Sequence, residues 1–67
     1  MESFAAKLRR IRGNQSKRTF ARILGISEKA LHAYESGKRL PRDEIRLRIY
    51  AAAGREAAKN FKKGVHN

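Results

Sequence analysis

Apolar positions recur three and four residues apart along the chain, the spacing of one face of an α-helix. Short polar breaks divide this pattern into five stretches. In the first, Ser3 to Arg12, Phe4, Leu8 and Ile11 line one face, and Gly13-Asn14-Gln15 ends it. The second opens at Ser16, a residue type that caps helix N-termini, and runs to Leu24 with Phe20, Ala21 and Leu24 inward. Gly25 supplies a left-handed turn. Ser27 caps the third stretch, where Ala30, Leu31 and Tyr34 face the core and Ser36-Gly37 closes the helix. Lys38 to Pro41 is a loop. Pro41 suits the start of the fourth helix, and Asp43 and Glu44 sit in its first turn, where the helix dipole favours anions. Ile45, Ile49, Ala52 and Ala53 form its apolar stripe, and Gly54 breaks it. The last stretch, Arg55 to about Lys63, carries Ala57, Ala58 and Phe61, and residues 64–67 fray. No alternating run of β-branched or aromatic residues predicts a strand. The expected fold is all-α, a compact bundle of about five short helices forming a single domain over residues 1–67.

With 67 residues the chain buries a limited core, so a partner is expected. It has no cysteine, and its two histidines, His32 and His66, lie too far apart for a zinc site; no metal and no cofactor is expected. No run approaches the roughly 18 apolar residues of a membrane span, and the charged, periodic N-terminus does not read as a signal peptide. A cytoplasmic, nucleoid-associated setting follows. Seventeen Lys and Arg against six Asp and Glu give a net charge of +11. Ten of the seventeen are arginine, whose planar fork suits phosphate and guanine edges. This balance predicts a polyanionic partner. Catalysis is not expected, because no Ser-His-Asp set and no glycine-rich phosphate loop is present. A membrane-active cationic helix would be long and uninterrupted, whereas Gly13, Gly25, Gly37, Pro41 and Gly54 punctuate this chain. An RNA module would expose aromatics for stacking, and Phe4, Phe20 and Tyr34 read as core.

Two short helices joined at Gly25, with apolar Ile26 just after the glycine, have the pattern of a helix-turn-helix over residues 16–37. Ile26, Leu31 and Tyr34 anchor the second helix of the pair and turn Glu28, Lys29, His32, Ala33 and Ser36 outward. The block Ser16, Phe20-Ala21, Leu24-Gly25-Ile26-Ser27, Leu31, Tyr34-Glu35-Ser36-Gly37-Lys38 and Pro41 resembles the Cro/Xre family of regulators, which have a lambda-repressor-like domain. The resemblance implies that the third helix enters the major groove of double-stranded DNA. It also implies that the starts of helices two and three meet bases and phosphates, and that Glu35 has a buried basic partner on the first helix. Counting back from Phe20 selects Arg10 as that partner. Helix phase selects Arg12, which shares a face with Leu8 and Ile11.

The base-contact candidates are Lys17, where the family often has glutamine, with Glu28, Lys29, His32 and Ala33. Lys29 can donate to guanine O6 and N7, and Ala33 can meet a thymine methyl. Glu28 either accepts from cytosine N4 or caps the helix N-terminus, and His32 reaches a base or a phosphate. Ser16, Arg18, Ser36, Lys38, Arg39 and Arg42 are the phosphate-contact candidates, which position rather than specify. Arg9, Arg10, Arg22, Arg46, Arg48, Lys62 and Lys63 read as long-range field. Leu47, Tyr50 and Ala51 lie off the main stripe of helix four and, with Ala57, Phe61 and Val65, form a second apolar surface. The family commonly dimerises through this region, so Tyr50, Phe61 and Val65 are the expected homodimer interface, weak until DNA binds. A repressor on a two-fold operator is the expected function. The alternatives are an antitoxin with a toxin partner, or the N-terminal part of a longer repressor.

Overall fold

The computed structural model describes the backbone of residues 2–65 and the side chains of residues 2–55. It contains four helices: α1 Phe4–Arg12, α2 Lys17–Leu24, α3 Glu28–Glu35 and α4 Asp43–Val65. No strand occurs among the described residues.

Local chemistry sets the helix starts. The Oγ atoms of Ser3, Ser16 and Ser27 accept the backbone N–H of Ala6, Thr19 and Ala30 at 3.1, 3.1 and 3.0 Å. Each satisfies a first-turn donor that has no partner inside its own helix, and each is worth about 1 kcal/mol. Gly25 ends α2 at φ 71 and ψ 33. The N–H of Ile26 bonds the Ala21 carbonyl at 3.0 Å and that of Gly25 bonds the Arg22 carbonyl at 3.1 Å. This pair of reversed bonds needs a left-handed residue between α2 and α3, which glycine supplies without a Cβ clash. Gly25→Ala is therefore expected to cost about 1 kcal/mol in urea unfolding. The added Cβ would lie 3.2 Å from the flexible guanidinium of Arg48, so backbone strain dominates that cost. An unchanged midpoint would contradict this account of the turn.

The expected fifth helix is not separate. Gly54 lies inside α4, a continuous helix of 23 residues. An interior glycine costs about 1 kcal/mol relative to alanine. That is too little to stop a helix flanked by Ala51, Ala52, Ala53, Ala57 and Ala58, all strong helix formers. The helix also continues through Gly64 to Val65, where fraying was expected; His66 and Asn67 lie outside the described residues. α4 begins at Asp43 rather than at Pro41. Pro41 is buried in the preceding loop, and the Arg46 N–H bonds the Arg42 carbonyl at 2.9 Å.

Leu8, Phe20, Ala21, Leu24, Leu31, Tyr34, Ile49 and Ala52 form the core, one contribution or more from every helix. Phe4, Ile11, Ile26, Ala30 and Ile45 close it as partly buried neighbours. Fully burying a side chain the size of Leu8, Phe20 or Leu31 stabilises by about 2 kcal/mol. α1 and α2 both pack on α3, while α4 packs on α2. α3 is thus held on its inner side and keeps its other side in solvent.

Candidate nucleic-acid interface

The spacing of Leu31, Tyr34 and Glu35 buries one side of α3 and leaves Glu28, Lys29 and His32 exposed on the other. Ala33 is half-buried rather than outward, because it lies nearer the packed side than its neighbours. Ser27 makes the capping hydrogen bond of α3, so Glu28 contributes charge to the first turn and not the cap. From α2, Lys17 reaches across, with its Nζ 3.1 Å from Nδ1 of His32. Lysine has only donors, so Nδ1 is the acceptor in that contact. The two helices thereby bring Lys17 and His32 to one spot on the surface.

The C-terminal end of α3 is clamped by α1. Nε of Arg12 donates to Oε2 of Glu35 at 2.7 Å and a terminal nitrogen donates to Oε1 at 3.2 Å. A further terminal nitrogen of Arg12 donates to the Gln15 carbonyl at 2.8 Å. Glu35 is 3% exposed and Arg12 21%. Two parallel bonds of this kind fix direction as well as distance. Arg9, read from sequence as a solvated charge, donates to the backbone carbonyl of Glu35. Carboxylate and carbonyl of one residue are thus held by two arginines three apart, hence on one side of α1.

Arg10 is occupied elsewhere. It bonds the carboxylate of Glu2 at 2.7 and 3.0 Å. This hydrogen bond holds the Glu2 carboxyl below its ordinary carboxylate value and raises the Arg10 guanidinium. Arg48 and Arg46 also depart from the expected role of distant charge. Arg48 donates to the Leu24 carbonyl at 3.2 Å and to Glu44 at 2.9 Å, tying α4 to the turn between α2 and α3. Arg46 lies over the ring of Phe4, 5.6 Å from its centroid, and Lys7 lies 6.0 Å from the Tyr50 ring. The Glu44–Arg48 spacing of four was readable in the sequence. The carbonyl partners of Arg9 and Arg48 were not, since tertiary packing supplies them.

Arg18, Lys38, Arg39 and Arg42 are exposed and ion-pair with no described carboxylate, whereas Arg10, Arg12 and Arg48 do. Lys38 and Arg39 leave α3 through N–H bonds to the Ala33 carbonyl at 3.0 and 3.3 Å, which place them just beyond the helix end. The Ser16 hydroxyl is engaged with Thr19, and that of Ser36 donates to the Ala33 carbonyl at 3.2 Å. Both hydroxyls therefore hold helix ends, and a phosphate would have to compete with those bonds. Tyr50 is exposed on α4; the side chains of Phe61 and Val65 lie outside the described residues. No helix among the described residues is long and apolar enough to cross a membrane. No family model, no curated protein and no solved structure matches the chain.

Proposed function

We propose that this chain is a sequence-specific regulator that binds double-stranded DNA in the manner of Cro/Xre helix-turn-helix proteins and represses from a two-fold operator. The observation that carries the proposal is the state of α3. Its inner side is locked into the core and held at its end by Arg9 and Arg12, while Glu28, Lys29 and His32 stay exposed, His32 against Lys17, beside cations that pair with no described carboxylate. A rigid helix presenting polar side chains between phosphate-binding groups is what major-groove readout requires. Eight residues extend about 12 Å and so read only a few base pairs. A symmetric pair placing two such helices about 34 Å apart restores the information needed for a unique site. The outer face of α4, with Tyr50, Phe61 and Val65, is the proposed contact between subunits.

Lys29→Ala and Arg39→Ala test the assignment together. Loss of Lys29 is expected to cost roughly 1–3 kcal/mol at one base position and to relax preference there. Loss of Arg39 is expected to weaken all sequences nearly alike, because a phosphate contact carries no base information. Binding profiles over a random duplex pool measure both. Identical profiles for the two variants would refute the division of roles.

A further inference from the structure

We infer that His32 and Lys17 couple duplex binding to proton uptake, so that this surface holds DNA more tightly as pH falls. The carrier is the contact between α2 and α3, where Nζ of Lys17 lies 3.1 Å from Nδ1 of His32. That contact exists only while the ring is neutral. A neutral imidazole has one accepting nitrogen, and an imidazolium has none. Protonation at Nδ1 therefore removes the acceptor and leaves two cations face to face. Lys17 must then let go, and both side chains offer only donors. Those donors fit the acceptors of a duplex, phosphate oxygens or guanine O6 and N7.

The groups around His32 set the sign. α1 and α2 are the helices packed on α3. From α2 the charge at His32 is Lys17, half-buried where His32 is exposed. From α1, Arg9 and Arg12 reach α3 but bind the carbonyl and the carboxylate of Glu35. That carboxylate, three residues after His32, is thereby neutralised. On α3 itself Glu28 and Lys29 precede His32 by four and three residues, with opposite effects on its charge. Lys38 and Arg39 follow just beyond the helix end. His32 also lies in the last turn of α3, where the helix dipole favours a cation. Among the described residues Lys17 is the cation in contact with the ring, and that contact excludes the proton. A duplex brings phosphates to the same spot and draws Lys17 off. The complex then takes up a proton that the free chain excludes. By linkage, affinity rises as pH falls through the range where histidine changes charge, about pH 8 to 5.

The inference rests on the DNA-binding reading above and adds its regulation by pH. Fluorescence anisotropy at fixed salt measures binding of the full chain to a selected duplex and to a random one, from about pH 8 to about pH 5.5. Affinity is expected to rise about tenfold per subunit, the effect of a one-unit difference in proton binding between free and bound chain. An equal rise on both duplexes assigns the acceptor to phosphate, and a larger rise on the selected one assigns it to a base. His32→Gln keeps an oxygen that can accept from Lys17 but takes no proton. It is expected to bind like the parent at the alkaline end and to stay there as pH falls. Lys17→Met removes the contact and is expected to shrink the rise. His66→Gln removes the other histidine and is expected to keep all of it. A flat response in the parent, or a rise that persists in His32→Gln, would overturn the proton linkage and leave the regulator reading standing. A full rise in Lys17→Met would overturn the part given to Lys17. Failure to bind either duplex at any pH would overturn both readings.

Discussion

Glu35→Ala is expected to lower unfolding free energy by about 3 kcal/mol, the low end for breaking a buried ion pair. In a domain of this size that corresponds to roughly 15 °C in melting temperature. The cost arises because the substitution leaves Arg12 without its carboxylate at a site where Glu35 is nearly sealed from water. Arg12 keeps its bond to the Gln15 carbonyl and some solvent contact, which holds the loss below the upper end of the range. Arg9 keeps its backbone acceptor and is unaffected in kind. Replacing both partners by apolar residues, Arg12→Met with Glu35→Met, is expected to recover most of the loss, since no stranded charge remains. Thermal and urea unfolding of the single and double variants measures this. A single variant as stable as the parent, or a double variant no better than the single, would remove the ion pair as a determinant of stability. Arg10→Ala, which loses only an exposed contact to Glu2, is expected to melt within a degree or two of the parent.

The parts of this fold legible in the sequence are those decided within a few residues. Ser3, Ser16 and Ser27 act on donors three residues ahead, and Gly25 acts on a single turn, so their roles follow from local chemistry. Helix phase likewise separates Arg12, beside Leu8 and Ile11, from Arg10 on the far side. Gly54 does not stop the helix because that depends on its neighbours, and the five surrounding alanines favour continuation more strongly than one glycine opposes it. Arg9 and Arg48 were misread as solvated charge for a different reason. Their partners are the backbone carbonyls of Glu35 and Leu24, 26 and 24 residues away, and no side-chain pattern advertises a carbonyl. The carbonyl of Ala33 likewise takes the hydroxyl of Ser36, which the sequence offered only as a phosphate contact. At the candidate interface helix phase places Glu28, Lys29 and His32 on the exposed side, as the structure has them, and Ala33 too, which is instead half-buried. It did not show that Arg9 also holds the end of α3.

On the proposed reading, this basic surface meets a DNA duplex through several phosphates at once. Arg18, Lys38, Arg39 and Arg42, with Lys17 beside them, supply about five cations per subunit, or about ten for a pair. Each phosphate neutralised releases counterions, so the logarithm of affinity falls by about 0.9 per contact for each logarithm of salt. The most direct test is a salt titration of binding to a duplex selected from a random pool, from about 50 to 200 mM. The expected result is a linear log–log plot with an affinity loss of about 10⁵-fold, and a residual preference for the selected sequence throughout. A flat salt response, or tighter binding to single-stranded RNA than to the duplex, would contradict the account.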